Sequence, residues 1–349
     1  MTYVVGISQF DINAIICDTH VSWWRFNQKV KGENVGLKNG LFFPGCIYGI
    51  SGSVDDARNF IISCKSYLTG NHTLPHFWEM FLEFVNSYSF PRINDSSFQL
   101  LLSSRNQGSL QFYVLDSRNS ACEPCDKFIS IGSGKPMLDQ HVQNLVSLNT
   151  DIINKLVTVE KRLPRFTFPY LYCLWLNELS QGMDLLSLEK HHVGGIFHFL
   201  WQDIQGEHAQ CPTVYVFSDA DPTKKTIYSW VYRVAYAQGA LVVDNPITNA
   251  REIIMDTAAR PNFGLIPSDQ LNLDIGKEID AQPFYYFCGF GFADPKHRGE
   301  YGIAITTERK YVVDKAGSIF PPFNALLQDK FSRDYKLVIG SPDSSTESL

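Results

Sequence analysis

The second residue of this chain, Thr2, is the clearest candidate for chemistry, and its position matters more than its type. Cells remove an initiating methionine readily when so small a side chain follows, and removal of Met1 would make Thr2 the N-terminal residue. A free N-terminal threonine holds a nucleophile and a base in one residue, because its hydroxyl can attack a carbonyl while its α-amine accepts the proton. The ordinary pKa of an α-amine is about 8, so a useful fraction is neutral near pH 7. Many ordinary proteins begin Met-Thr, so the chemistry depends on what the rest of the chain supplies.

Three other sequence patterns are weaker candidates for a metal, redox or nucleotide-binding site. Cys122 and Cys125 could form half of a zinc site or a redox pair, but no second cysteine pair has a suitable spacing, and the segment is predicted to lie in a hairpin loop. His191 and His192 could suggest a metal site, but adjacent strand residues point to opposite faces, so the two imidazoles would not meet at one metal ion. The Gly-Phe-Gly-Phe segment at 289–292 lacks the strand and helix that flank a nucleotide-binding loop. We therefore predict neither a metal nor a cofactor.

The elements that must position Thr2 begin directly after it. Apolar, β-branched runs at 3–8 and 14–17 flank turn residues at 10–13, which predicts an N-terminal hairpin. Further strands are predicted at 41–50 (broken by Pro-Gly at 44–45), 98–103, 110–115, 128–131, 196–201 and 213–217, and helices at 53–68, 76–88, 137–163 and 170–179. Strand blocks that alternate with helix pairs favour an α+β layered architecture.

The pattern of predicted strands and helices changes after residues 218–222, Ser-Asp-Ala-Asp-Pro. The following segments are punctuated by proline and glycine and predict a helix at 226–236 and a strand pair at 302–306 and 311–314. The last residues are polar and serine-rich, which is typical of disordered tails. We therefore divide the chain into a domain at 2–217, a C-terminal α/β extension at 218–340 and a disordered tail at 341–349.

The composition excludes several classes of function. The chain has 349 residues, 44% of them hydrophobic, and a net charge of -6, so we expect a soluble protein without bulk attraction to nucleic acid or anionic membranes. No apolar run reaches the roughly 18–20 residues of a membrane span, and the first residues do not form a secretory signal. The eight cysteines are scattered, which is typical of reduced thiols in a cytoplasm. We expect a cytoplasmic protein that binds neither nucleic acid nor membrane.

Four segments within residues 2–217 together resemble the proteasome β-subunit and HslV branch of the N-terminal-nucleophile (Ntn) hydrolases. The first is Thr2 followed sixteen residues later by Asp18, at the end of the second predicted strand. The second is the glycine-containing bend at 48–57, and the third is a pair of strands that precedes Gly-Ser-Gly at 132–134. The fourth is Val-Gly-Gly at 193–195. The resemblance implies a four-layer αββα sandwich of two stacked antiparallel sheets.

The resemblance also implies a role for each site residue. Thr2 would be the nucleophile with its α-amine as general base, and Asp18 would orient and charge-balance the site. A lysine beside the nucleophile would lower the pKa of the hydroxyl and keep the amine neutral. Of the candidates Lys29, Lys31 and Lys38, the last has the spacing closest to that of the family. The alternatives are a turn aspartate that caps backbone amides and an exposed loop lysine.

Two turns would complete the site. The backbone N–H groups at Ser51 and Gly52 would form the oxyanion hole, although the family usually has glycine where this chain has Ser51. Ser133 matches a serine that hydrogen-bonds the terminal amine, and its alternative is an ordinary turn serine.

The chain departs from the family pattern near Val193. The family has an aspartate three residues before a Ser-Gly-Gly segment, where this chain has Lys190, and Val193 replaces the serine. The adjacent Glu189 could substitute for that aspartate. If it does not, proton handling at the amine changes and the domain is weakly active or inactive.

Two functions therefore stay open. The first is a threonine-type Ntn hydrolase that cleaves an amide or peptide bond. The second is a catalytically weak or inactive proteasome-like scaffold or regulatory protein that acts through its C-terminal extension. By the same resemblance we expect self-assembly into a homo-oligomer, and an ATP-dependent unfoldase is a weaker expectation.

Overall fold

The structure is a computed structural model of the chain, and the chain divides into two compact units. The first comprises Met1–Gln210 and Met255–Phe263, and the second comprises Cys211–Ile254 and Gly264–Leu349. The domain bounds 2–217 and 218–340 stay a prediction. The structure describes residues 2–19, 23–25, 28–30, 37–69, 77–90, 97–106, 108–140, 142–143, 168–170, 172–173, 176–177, 193, 196–221, 226–237, 240–244, 251–255, 277–278, 285–292, 302–306 and 336–339.

Strands and two long helices make up most of the described part of the first unit. They are β1 (Val4–Gln9), β2 (Ile12–Asp18), β3 (Trp23–Arg25), β4 (Gln28–Val30), β5 (Asn39–Phe43), β6 (Cys46–Gly52), α1 (Val54–Thr69), α2 (Phe77–Ser87), β7 (Phe98–Asn106), β8 (Ser109–Asp116), β9 (Ala121–Cys125), β10 (Phe128–Ile131), β11 (Phe197–Gln202) and β12 (Glu207–Ala209).

Two antiparallel five-stranded sheets form the centre of this unit. The first sheet has the order β10-β1-β2-β11-β12, and the second has the order β5-β6-β7-β8-β9. The sheets face each other closely: a Cβ added to Gly49 of β6 would lie 2.6 Å from Val4 and 2.8 Å from Ile15 of the first sheet. Glycine is therefore required at this crossing because any side chain would push the sheets apart.

The N-terminal hairpin has the predicted form. β1 pairs with β2 from Val4 opposite Cys17 to Gln9 opposite Ile12, and only Phe10 and Asp11 form the turn. Both turn residues have positive φ, 53° and 60°, which matches the two-residue turn that suits the twist of paired strands.

The two long helices cover the second sheet. Ser53 caps α1, because its hydroxyl accepts a hydrogen bond from the N–H of Asp56 at 3.4 Å and contacts the Asp56 carboxylate in return. The buried face of α1 consists of Ala57, Phe60, Ile61, Cys64 and Leu68. These residues and α2 pack on strands of the second sheet in one aromatic-rich core, so the helices predicted at 53–68 and 76–88 are confirmed.

Helical residues also contact the first sheet. Residues 135–140, 142–143, 168–170, 172–173 and 176–177 are helical. Tyr170 packs edge-on against Phe199 of β11 with ring centres 4.7 Å apart, and the Asn177 amide exchanges hydrogen bonds with the Phe197 backbone at 2.8 and 3.0 Å. The fold is thus a mixed α/β one with antiparallel sheets. The remaining parts of the helices predicted at 137–163 and 170–179 lie outside the described residues.

A seven-stranded sheet forms the described core of the chain after residue 210. Its order is β16-β15-β14-β13-β17-β18, with β19 paired to β14; the β13–β17 and β14–β19 pairs are parallel. Its strands are β13 (Thr213–Asp221), β14 (Thr226–Ala237), β15 (Ala240–Asp244), β16 (Arg251–Met255), β17 (Tyr285–Phe292), β18 (Gly302–Thr306) and β19 (Lys336–Ile339).

The helix predicted at 226–236 is wrong, because this segment is β14. Its apolar residues occupy so many positions that they satisfy helical spacing as well as alternation. The β-branched and aromatic side chains of the segment favour a strand, and pairing with β13 and β15 fixes it as one. The strand predicted at 302–306 is confirmed as β18, whereas 311–314 and the tail at 341–349 lie outside the described residues. None of the helices in the described part of the chain is long and apolar enough to span a membrane.

Candidate active site

Thr2 lies at the start of the first sheet, immediately before β1, and is only 2% exposed. Its carbonyl oxygen accepts a hydrogen bond from the N–H of Gly134 at 3.3 Å. The next residue, Tyr3, is held by Asp18 on both sides of its backbone: its N–H donates to the carboxylate at 3.0 Å, and its carbonyl accepts from the Asp18 N–H at 3.3 Å. The hairpin therefore fixes the backbone that carries the Thr2 hydroxyl.

Asp18 is the last residue of β2, and its side chain is fully buried. One carboxylate oxygen accepts hydrogen bonds from the Thr2 hydroxyl at 3.0 Å and from the Lys38 ammonium at 2.9 Å, in addition to the Tyr3 N–H. The predicted pair of Thr2 and Asp18 is thus in direct contact.

Lys38 supplies the cation of this cluster. It lies just before β5, its carbonyl accepts from the Ile50 N–H of β6 at 2.6 Å, and its side chain is 1% exposed. Its ammonium donates to the Thr2 hydroxyl as well as to Asp18. Burial lowers the pKa of Lys38 below its usual range, and the Asp18 charge opposes that shift.

The other two lysine candidates cannot be compared with Lys38. Lys29 lies in the short strand β4, where its side chain is outside the described part of the chain, and Lys31 lies outside the described residues. Lys38 is in contact with the threonine, and its role stays a prediction.

The predicted oxyanion turn ends β6 beside Thr2. Gly52 has a φ of +92°, and a Cβ there would lie 2.5 Å from the carbonyl oxygen of Ser97, so only glycine fits. Ser51 is buried at 6% exposure, and its hydroxyl faces Gly132: a Cβ on Gly132 would lie 3.0 Å from it and would collide with the Thr2 carbonyl.

The Gly-Ser-Gly turn at 132–134 lies against the same backbone. Gly132 has a φ of +102°, and a Cβ on Gly134 would lie 2.8 Å from both Tyr3 and Val193. Ser133 is therefore in a turn that touches Thr2 and Tyr3, as the sequence predicted, and its role stays a prediction.

The structure describes only Val193 of the three residues that bear on the departure from the family pattern. Val193 is 3% exposed and packs beside Gly134, so an aliphatic side chain stands where the resemblance implies a hydroxyl. Glu189 and Lys190 lie outside the described residues, and the proposed substitution by Glu189 stays a prediction.

Sequence reasoning missed two neighbours of this site, Asp139 and His198. The phenol of Tyr3 donates to one carboxylate oxygen of Asp139 at 3.0 Å, and the hydroxyl of Ser130 donates to the other at 2.8 Å. Burial and the Asp139 charge raise the pKa of Tyr3 well above its usual value. A lone acidic residue in a predicted helix gave no signal that it would reach residue 3.

The second missed neighbour is His198, a fully buried residue of β11 that stands opposite Cys17 of β2. Burial, reinforced by the charge of Lys38, lowers the pKa of His198 to about 3, so the imidazole is neutral at pH 7. Burial also raises the pKa of Cys17 well above its usual value, which makes this thiol a poor nucleophile. A single histidine inside an apolar strand was the available signal.

The segment at 122–125 is not a hairpin loop, so that prediction is wrong. It belongs to β9, an edge strand of the second sheet, where Pro124 costs no hydrogen bond to a further strand. Cys122 and Cys125 are free thiols. No cluster of three or more side chains suited to a metal ion occurs among the described residues.

Comparisons with known proteins find a distant likeness among solved structures. No protein-family profile matches this chain, and no curated relative matches it. Among solved structures, eukaryotic HslV from Trypanosoma brucei is similar at 14% sequence identity and a TM-score of 0.32, over 42% of this chain and 79% of that chain. A likeness this distant carries no argument about activity, which therefore depends on the site itself.

Proposed function

We propose that this protein is a threonine-type Ntn hydrolase that cleaves an amide bond, in a peptide or a related amide, after Met1 has been removed. The observation that carries the proposal is the buried contact of Lys38 with both the Thr2 hydroxyl and Asp18. The four-layer αββα arrangement belongs to the same proposal, supported by two facing sheets with helical residues packed on each.

The energetics of the cluster support a chemical role. Removing a lysine and an aspartate from water costs several kcal/mol per ion, and their mutual attraction offsets that cost only in part. A neutral hydroxyl between two such ions adds little to stability. The Lys38 ammonium, within hydrogen-bond distance of the Thr2 hydroxyl, favours a negatively charged oxygen there, whereas the Asp18 carboxylate at 3.0 Å opposes it.

In the proposed reaction the α-amine of Thr2 accepts the proton of its own hydroxyl, and the oxygen attacks the substrate carbonyl. The Lys38 ammonium stabilises the developing alkoxide, and backbone N–H groups at Ser51 and Gly52 stabilise the oxyanion of the tetrahedral intermediate. Collapse breaks the C–N bond, and the amine proton passes to the leaving nitrogen. Water then hydrolyses the resulting ester with the same amine as base, and Ser133 holds that amine.

Intact mass and covalent labelling test this proposal. The purified protein is expected to lack Met1, and an electrophile directed at N-terminal threonine is expected to add to Thr2. Thr2→Ala should abolish the label, whereas Thr2→Ser retains a nucleophile and should keep part of it. The matched control is Thr69→Ala, which removes an exposed hydroxyl at the end of α1. Labelling that persists in Thr2→Ala contradicts the mechanism.

Val193 favours a second candidate, a weakly active or inactive proteasome-like protein that acts through its C-terminal extension. The buried valine beside the Gly-Ser-Gly turn supplies no hydroxyl at that position. Retention of Met1 together with the absence of any label would select this candidate over the hydrolase.

Assembly and compartment complete the proposal. The scattered cysteines support a cytoplasmic protein. The resemblance in sequence supports a homo-oligomer and, as a weaker expectation, an ATP-dependent unfoldase partner. Light scattering of the purified chain measures the oligomeric state, and a monomeric mass at micromolar concentration would contradict the homo-oligomer.

A further inference from the structure

A second polar cluster lies next to the site and is built around Asp139. Its carboxylate accepts hydrogen bonds from the Tyr3 phenol at 3.0 Å and from the Ser130 hydroxyl at 2.8 Å. Ser130 belongs to β10 and Asp139 to the helical residues 135–140, so the cluster joins three separate segments. Tyr3 is fully buried, and its ring also packs edge-on against Phe197 with centres 6.5 Å apart.

Tyr3 and Thr2 are successive residues that lead into a strand, so their side chains project to opposite faces of the first sheet. Val4, two residues further along, faces Gly49 of the second sheet, so Thr2 faces the same way, and it contacts Lys38 just before β5. Tyr3 contacts Asp139 on the other face. A constraint on the Tyr3 side chain therefore limits rotation of the backbone that carries the Thr2 hydroxyl.

Few backbone hydrogen bonds from the described residues hold Thr2 and Tyr3 in place. Among the described residues, the carbonyl of Thr2 accepts one long hydrogen bond from Gly134, at 3.3 Å, and only Asp18 bonds the Tyr3 backbone. Terminal residues fray unless they are tied down, and a nucleophile displaced by about 1 Å can lose roughly 100-fold in rate. The Tyr3 phenol adds an anchor that is independent of the residues that contact the Thr2 hydroxyl.

We propose that Asp139 is a positioning residue: through Tyr3 it holds the Thr2 hydroxyl between Lys38 and Asp18. This inference rests on the proposed hydrolase function. Asp139 does not touch the reacting atoms and acts only through the tyrosine. Because both carboxylate oxygens accept hydroxyl donors, Ser130 orients Asp139 in turn.

The test compares Tyr3→Phe, Asp139→Ala and the double variant with the wild-type chain. Each single change is expected to slow covalent labelling of Thr2 about 10- to 100-fold, with no change in the electrophile concentration that half-saturates the rate. The double variant should be no slower than the slower single variant, because both changes remove the same link. The matched control is Asp116→Ala, which removes a carboxylate that accepts from Gln99 on the second sheet, and it should label at the wild-type rate.

Hydrogen exchange at the N-terminus gives a readout that does not require activity. Exchange of the Tyr3 amide is expected to accelerate in Tyr3→Phe and Asp139→Ala but not in Asp116→Ala. If Asp139→Ala does not fold, Asp139→Asn and Tyr3→Phe carry the test. Unchanged labelling and unchanged exchange in folded variants would overturn the inference. If the wild-type chain takes no label, the hydrolase proposal fails, and the exchange result alone decides whether Asp139 holds the N-terminus.

Discussion

The two facing sheets hold a buried polar cluster at each end, and the two clusters differ in charge. At one end Lys38 and Asp18 form an ion pair around Thr2. At the opposite end the fully buried side chains are neutral: the Asn13 amide donates to Ser103 at 3.0 Å, Ser103 donates to Gln202 at 2.9 Å, and Gln202 donates to the Gly45 carbonyl at 2.8 Å. These neutral side chains have 0–1% exposure. Gln202 also contacts the partly exposed Glu207 carboxylate at 3.3 Å, so the only ions among these contacts of the described residues lie nearer the solvent.

The neutral cluster shows what is needed to join the sheets. Hydrogen bonds between amide and hydroxyl side chains link β2, β7 and β11, and each such bond contributes about 1 kcal/mol. The amide oxygen of Asn13 is buried without a hydrogen-bond partner among the described residues. Joining the sheets at the other end with buried ions brings a desolvation cost that the neutral solution avoids. Under the proposed function, the charged cluster serves the chemistry of Thr2, and comparison of the two ends tests that proposal.

Removing the cation at the charged end should have the largest effect. Lys38→Met leaves the Asp18 carboxylate buried without its ion pair, so we expect a loss of about 3–5 kcal/mol in the free energy of unfolding together with loss of labelling. Chemical denaturation measures the first and intact mass the second. Arg105→Met is the matched control, because its partly exposed pair with Glu207 is worth about 1 kcal/mol or less. Equal losses from the two changes would remove the distinction between the ends.

Acid should weaken the charged end through His198. The native imidazole stays neutral down to about pH 3, whereas the unfolded one takes up a proton near its ordinary pKa of about 6.5. Because the unfolded state binds more protons in this window, stability falls as the pH falls, by about 2 kcal/mol between pH 7 and pH 5.

His198→Gln is expected to remove that part of the pH dependence. Urea denaturation at pH 7 and pH 5 gives the comparison. If wild type and variant lose the same free energy between these two pH values, His198 does not remain neutral in the folded protein.

At the neutral end, Gln202→Leu should reduce stability and spare reactivity. The change leaves the Ser103 hydroxyl and the Gly45 carbonyl without this partner, at a cost of about 1–2 kcal/mol. The labelling rate of Thr2 should stay within about twofold of wild type, since the far end takes no part in positioning it. A large fall in labelling of fully folded Gln202→Leu would show that the two ends are coupled.

The smallest effect is expected from a neutral change at the charged end. Ser53→Ala removes the cap of α1 and should cost about 1 kcal/mol, read from the midpoint of thermal unfolding. This result sets the scale for an ordinary lost hydrogen bond near Thr2. A loss as large as that of Lys38→Met would mean that the region responds to any polar substitution.

Local patterns allowed the hairpin and α1 to be predicted from sequence, whereas the resemblance to a family singled out Thr2, Asp18 and Lys38, whose roles stay a prediction. The hairpin alternates around a short turn, α1 begins at a serine cap with a regular buried face, and Asp18 follows Thr2 at a fixed distance. These features depend on neighbours in sequence or on one strand pair, so residue order contains them. Lys38 was a choice among three lysines, and only the packing of β5 on β6 brings its ammonium to Thr2.

The parts that sequence reasoning missed depend on contacts between distant segments. Asp139 meets Tyr3 across 136 residues, and His198 of β11 reaches its buried position because β11 pairs with β2. Nothing near either residue in sequence marks those partners. The segment of β14 was misread for the same reason: its apolar residues fit two periodicities, and the choice was made by pairing with β13 and β15.

The hairpin turn at Phe10 and Asp11 sets the register of β1 and β2 and so determines which residue stands across from Tyr3. In a two-residue hairpin the numbers of paired residues sum to a constant, here 21, so the turn itself determines that Asp18 stands across from Tyr3, next to Thr2. One residue inserted at the turn would shift the pairing by one, so that this carboxylate would no longer stand across from Tyr3. Loop length is usually one of the most tolerant features of a protein, but here it determines whether Asp18 reaches Thr2 and Lys38. Any related chain that changes the number of residues between its Thr2 and Asp18 counterparts by one must compensate with a bulge or lose the contact.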